Sequence, residues 1–190
     1  MQSDDWRLIL VNSDHPVPEN YTVRLKRLRN DFKVDERIYP DLQAMFDAAR
    51  AQGIYPLINS AYRTAEYQQT LLDNKLSELS AQGTTGDAAM EEALSWVAAP
   101  RTSEHQLGMA IDITVEGTAC TLDDVYRWME ENSWRYGFIR RYPENKLSIT
   151  GINYEPWHFR YVGREHAAAI YEQGVCLEEY VGAVSVTAGG

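Results

Sequence analysis

Cysteine is scarce in this chain: Cys120 and Cys176 are the only two among 190 residues. Two thiols exclude a disulfide-built scaffold, and their spacing excludes a cysteine zinc knuckle. They read as two unpaired, partly buried thiols, with one disulfide left open for an exported protein. Positive charge is also short, 18 Lys and Arg against 28 Asp and Glu, for a formal net charge of -10. So acidic a chain repels phosphate backbones, which argues against nucleic-acid partners. The stretch "RLKRLRN", with Arg24, Lys26, Arg27 and Arg29, is a local exception and reads as a solvated edge. No apolar run is long enough to span a bilayer. The start, "MQSDDWRLILVN", lacks a basic segment followed by an apolar core, so no signal peptide is visible. The expected compartment is the cytoplasm if Met1 is the native start, and the cell surface if a leader or anchor has been removed. Internal repeats and low-complexity tracts are absent as well.

What is present suits one globular domain over residues 1–190, with 44% hydrophobic residues to build a core. "YPDLQAMFDAARAQG" places Leu42, Met45, Phe46 and Ala49 at helical spacing, with Gly53 as the C-terminal glycine. A second helix follows Thr64 as N-cap, with Glu66 in its first turn. Asp87 is expected to cap a third helix that Pro100 ends, and "TLDDVYRWMEENSWRYG" is expected to form another, closed by Gly137. Strands are expected at 7–12, 54–59, 108–114 and 155–162, with "FIRRYP" and "KLSIT" as a short pair around a turn at 144–146. Helices and strands mix without βαβ alternation. That pattern implies α+β, a mostly antiparallel central sheet flanked by helices. Residues 183–190 are expected to be a frayed tail.

In "SEHQLGMAID", alternation puts Gly108, Ala110 and Asp112 on one face and Met109, Ile111 and Ile113 on the other. The small residues are expected to leave space beside Asp112. An aspartate between two isoleucines is costly to bury without a partner. His105 lies just before this strand, and His158 projects from "EPWHFRYV", sharing a face with Arg160. On the other face of that strand, Trp157, Phe159 and Tyr161 are most simply core. Two imidazoles and a carboxylate form a three-ligand set that leaves a position for water, the pattern of catalytic zinc. Glu155, held extended by Pro156, could then serve as a base. Taken alone, a buried His–Asp hydrogen bond is the simpler account of His105 and Asp112. Glu155 alone is a surface carboxylate, and Arg63 an ordinary ion-pair partner. His15 and His166 read as structural or surface residues.

The motifs S-x-H-x-x-G-x-A-x-D and E-x-W-H, together with "SAYRT", resemble the zinc D,D-peptidases of the VanY and VanXY type. That wider group includes lysostaphin-like peptidases and the hedgehog signalling domain. The resemblance runs from "LILVN" through "RYVG" and is strongest over 136–163. It implies the hedgehog/D,D-peptidase fold and one catalytic Zn2+ on His105, Asp112 and His158. Glu155 matches the family's base and Arg63 its oxyanion-stabilising arginine. Ser103 and Gln68 match positions at the substrate's terminal carboxylate, and Tyr142 and Trp157 match pocket-lining aromatics. Arg101 stands where relatives often have glycine. The implied reaction is release of the C-terminal D-Ala from peptidoglycan stem peptides or precursors ending in D-Ala-D-Ala. The biological setting could be cell-wall maturation, recycling, or resistance to an antibiotic that binds that dipeptide. L,D-carboxypeptidase action on tetrapeptide stems and dipeptidase action on free D-Ala-D-Ala are alternatives. So are a non-catalytic zinc-containing peptidoglycan-binding module and a purely structural zinc or ion-pair core. The insertion "KLSELSAQGTTGDAAMEEALSW" is expected to border the cleft, and the expected state is a monomer.

Overall fold

A four-stranded antiparallel sheet carries the architecture, in the order β3-β4-β6-β5. The computed structural model describes residues 5–187. Its strands are β1 (Leu25–Arg27), β2 (Lys33–Asp35), β3 (Pro56–Ser60), β4 (Ala110–Val115), β5 (Phe138–Arg140) and β6 (His158–Tyr161). The first two form a separate antiparallel pair. The helices are α1 (Tyr39–Ala51), α2 (Ala65–Ala81), α3 (Gly86–Leu94), α4 (Leu122–Asn132), α5 (Leu147–Thr150), α6 (Arg164–Gln173) and α7 (Leu177–Thr187). This is the α+β arrangement the sequence implies, with an antiparallel sheet flanked by helices.

One face of the sheet is apolar. Ile111, Ile113 and Phe159 pack with Met45, Phe46 and Ala49 of α1 and with Val125 and Met129 of α4. Period-2 alternation therefore turns Asp112 and His158 to the opposite face, where register pairs them directly. A one-residue slip would exchange the two sets. It would forfeit ~1.5–3 kcal/mol for each apolar side chain removed from the core and bury charge in its place. Core packing thus fixes the placement of the polar pair.

Local signals act as expected in α1 and α2. Gly53 follows α1 with a φ of 77°, and the Thr64 side chain accepts from the Tyr67 N–H at the start of α2. Helix α3 differs: Thr85 holds the N-cap position, with Asp87 inside the first turn, and the helix ends at Leu94, well before Pro100. A 3-10 turn, Ser133–Tyr136, extends α4 to Gly137. Gly137 adopts φ 86°, and a Cβ there would lie 2.8 Å from Tyr161 Cε2 and 3.0 Å from the Arg164 nitrogen. Gly137→Ala is expected to destabilise the fold by ~1–3 kcal/mol, the usual scale of a strained backbone position. A shift of the urea midpoint to lower concentration would show it.

Two expected strands are corrected. Residues 7–12 form no strand; a 3-10 turn occupies Trp6–Leu8. The alternation there reflects burial of Leu8 and Leu10 against Ile139, Val162, Ile170 and Leu177 rather than sheet pairing. "KLSIT" is the short helix α5, with Leu147 and Ile149 both exposed, so their spacing reports no buried face. Of the tail expected at 183–190, the backbone is helical through Thr187, and residues 188–190 lie outside the described residues. The basic stretch 24–29 forms part of an exposed hairpin and its flanks, as a solvated edge should, with Arg27 paired to Asp31. Cys120 and Cys176 are both free. Among the described residues no helix is long and apolar enough to cross a membrane.

Candidate metal centre and active site

The register sets Ser60 of β3 and His158 of β6 on either side of Asp112 in β4. A 3-10 turn, Glu104–Leu107, brings His105 back over the same face. Gly108 ends that turn with φ 73° and its N–H on the His105 carbonyl. A Cβ on Gly108 would sit 3.0 Å from the Asp35 nitrogen. Gly108 is therefore needed for the chain reversal and the close approach of β2, not to clear space beside Asp112. Ala110 pairs with Arg160 in register, so the two side chains share one face of the sheet.

Three ligand-type atoms converge. His105 Nε2 and His158 Nδ1 each lie 3.3 Å from Asp112 Oδ1, and all three fall within 4.8 Å of one another. His105 Nδ1 is 2.7 Å from the Ala61 carbonyl, so it carries the hydrogen and leaves Nε2 a lone pair. Burial pulls the His105 pKa down to about 4, outweighing the pull of Asp112, and the ring is neutral. Asp112 Oδ2 accepts from Arg63, while the buried Oδ1 has no hydrogen-bond partner among the described residues. A buried carboxylate oxygen facing two imidazole nitrogens calls for a cation. Two nitrogens and one oxygen, with cleft on the remaining side, suit a catalytic zinc. The residues fit the group. Burial works against a charged His158, but Asp112 and Glu104 outweigh it and raise this pKa to about 9. A metal ion held here would take the place of the proton on His158 Nδ1.

Glu155 sits beside this set, with Oε2 3.5 Å from His158 Nδ1. The tight turn from Glu155 to His158, closed by the His158 N–H on the Glu155 carbonyl, presents both side chains to one space. Burial raises the Glu155 pKa to about 7, with Asp112 adding to it and His158 and Arg63 opposing. Such a carboxyl can both take and return a proton near neutral pH. Arg63 is held on three sides: Nε donates to Ser60 Oγ, Nη1 to Gln68 Oε1 and Nη2 to Asp112 Oδ2. Gln68 in turn donates to the Ala98 carbonyl.

Every site residue named from the sequence lines one cleft of about 360 Å³: Arg63, Gln68, Ser103, His105, Asp112, Tyr142, Glu155, Trp157 and His158. Trp157 lies just before β6 and lines this cleft, whereas Phe159 and Tyr161 belong to the core as expected. The insertion borders the cleft too, through Lys75, Glu78 and Trp96. Arg101 adopts φ 69°, the left-handed backbone that glycine accepts most easily, and its guanidinium turns to the Val17 carbonyl. Three buried charges escaped the sequence reading as site components: Glu104, Arg141 and Arg160. Arg160 gave a signal, its shared face with His158 on β6; the other two gave none.

Comparison with known proteins agrees with this geometry. Residues 31–164 match the family model described as VanY, D-alanyl-D-alanine carboxypeptidase. A D-alanyl-D-alanine carboxypeptidase of Enterococcus faecalis is 55% identical over 177 residues, 93% of this chain. The chain spans 66% of that relative's length. Among solved structures, VanYB in complex with D-alanine-D-alanine has a TM-score of 0.92 at 55% identity, over 93% of this chain and 98% of that one. A variant of the vancomycin-resistance D,D-pentapeptidase VanY, in complex with Zn(II), has a TM-score of 0.91 at 55% identity, over 93% of this chain and 99% of that one. With the family's motifs gathered in one cleft and its model matched across the sheet, the chain belongs to the VanY family of D-alanyl-D-alanine carboxypeptidases.

Proposed function

We propose that this chain is a zinc-dependent D,D-carboxypeptidase that removes the terminal D-Ala from peptidoglycan stem peptides or precursors ending in D-Ala-D-Ala. One observation carries the reading. His105 and His158 converge on the buried Oδ1 of Asp112, which has no hydrogen-bond partner among the described residues, with the Glu155 carboxyl beside them on the same cleft. Zinc held by these three would acidify a water molecule and polarise the scissile carbonyl. Glu155 accepts the water's proton and returns it to the departing amine, which its pKa of about 7 allows in both directions. Arg63, anchored by Ser60 and Gln68, offers guanidinium hydrogens to the carbonyl oxygen as charge grows there. Ser103 and Gln68 line the same cleft as Arg63 and are assigned to the end of the substrate that carries the free carboxylate. A non-catalytic binding module has no use for a Glu155 and Arg63 so placed.

The D,D preference follows the relatives. VanYB binds D-alanine-D-alanine and shares 55% of the aligned residues. Loss of the terminal D-Ala would also remove the dipeptide that a D-Ala-D-Ala-binding antibiotic needs. The reading is tested by mass spectrometry of products from a pentapeptide stem, a tetrapeptide stem and free D-Ala-D-Ala. D-Ala release is expected from the pentapeptide in large excess over the other two. Preferential cleavage of the tetrapeptide or the free dipeptide would replace it.

Arg63→Ala is expected to lower kcat by ~10²–10³, the usual cost of one oxyanion donor. KM should change little, because that interaction strengthens only as charge develops. Steady-state kinetics on the pentapeptide separates the two constants.

A further inference from the structure

Behind the metal set lies a second group of charges that the mechanism above does not use. Glu104, Arg141 and Arg160 are fully buried. One carboxylate oxygen of Glu104, Oε1, accepts from Arg141 Nε at 2.8 Å and from Arg160 Nη1 at 2.9 Å. Among the described residues its other oxygen, Oε2, has no hydrogen-bond partner, and neither has His158 Nε2. These two buried atoms face each other across 3.8 Å. They lie on the side of the imidazole away from Nδ1, the atom turned to Asp112 and Glu155. The arginines are tied down in turn. Arg141 donates to Glu178 of α7, and Arg160 to the carbonyls of Arg7 and Ile9.

We propose that Glu104 is a positioning residue for the metal centre. Its free Oε2 receives the Nε2–H of His158, fixing the tautomer and ring angle that leave Nδ1 a lone pair for the metal. This contact requires the 3.8 Å separation to shorten to hydrogen-bond distance when the ring is seated on the metal. Ligating histidines generally give their second N–H to such an acceptor. His105 already does so through Ala61; Glu104 does it for His158. Two guanidiniums on Oε1 keep the carboxylate ionised and fixed. Glu104 touches neither substrate nor reacting atoms, so its effect reaches the chemistry through His158. The inference rests on the zinc reading of the cleft.

Two measurements test it. The first is ¹⁵N NMR of the imidazoles in zinc-loaded and metal-free wild-type protein, which requires no variant to fold. The His158 signals should show a proton retained on Nε2, slow to exchange, and a metal-coordinated Nδ1. Ligation through Nε2, or an Nε2 proton exchanging as fast as an exposed one, would overturn the proposal. The second is zinc affinity by competition with a chromogenic chelator. Glu104→Asp keeps the charge that the arginines need but withdraws the oxygen from His158. It should weaken zinc binding ~10–100-fold, the range for second-layer partners. Glu155→Gln, the control, should not. Unchanged affinity in folded Glu104→Asp would refute the positioning role and leave the zinc reading intact. Wild-type protein that binds no zinc would end both.

Discussion

Replacing Glu155 with glutamine is expected to lower kcat for D-Ala release by ~10²–10⁴, the range for losing a positioned general base, while zinc stays bound. The argument is geometric. Glu155 is buried at the wall of the cleft, and among the described residues its carboxylate has no ion-pair partner besides His158, at 3.5 Å. It is not one of the three convergent ligand atoms. Glutamine has the same shape and can still accept a hydrogen bond, but it cannot take up a proton. The folded structure should tolerate the change well, since burial already disfavours the charged form of Glu155. Zinc content by mass spectrometry and kcat on the pentapeptide give the two readouts. Full turnover in this variant would remove Glu155 from the mechanism.

Asp112→Asn is expected to abolish both zinc binding and activity. Asp112 has one oxygen on Arg63 and leaves the other to the two imidazoles. An amide either turns its NH2 toward Arg63 and repels it, or turns it toward the metal position and offers no lone pair. Neither orientation restores the charge. Zinc should fall from one equivalent to background at micromolar metal, and D-Ala release with it. Breaking a buried ion pair by removing one charge costs ~3–5 kcal/mol. The metal-free variant should therefore also unfold at lower urea, and zinc must be measured below that transition. A variant that keeps stoichiometric zinc would show that Asp112 is no ligand.

The site was more legible in the sequence than parts of the fold. His105, Asp112 and His158 sit in segments whose alternation matches the sheet, so period and face predicted where the side chains point. Their meeting depended on β4 pairing β6, a non-local contact that the resemblance implied and alternation alone could not. Arg160 shows the limit. Its face was read correctly, yet nothing local says that an arginine will be fully buried; that follows from Glu104 meeting it across the fold. The same limit produced the errors. Leu8 and Leu10 alternate because they pack on α6 and α7, and Leu147 and Ile149 alternate with no buried face at all. Gly108 was tied to the right motif for the wrong reason, since a 3-10 turn before β4 leaves no trace in period-2 spacing.

The most direct test of the central claim is a titration of metal-free protein with zinc, following D-Ala release from a pentapeptide stem at each addition. Activity should rise in proportion to zinc, level off at one equivalent per chain, and stay at background throughout for Asp112→Asn. Release that is independent of zinc, or zinc bound at one equivalent with no release, would contradict the account.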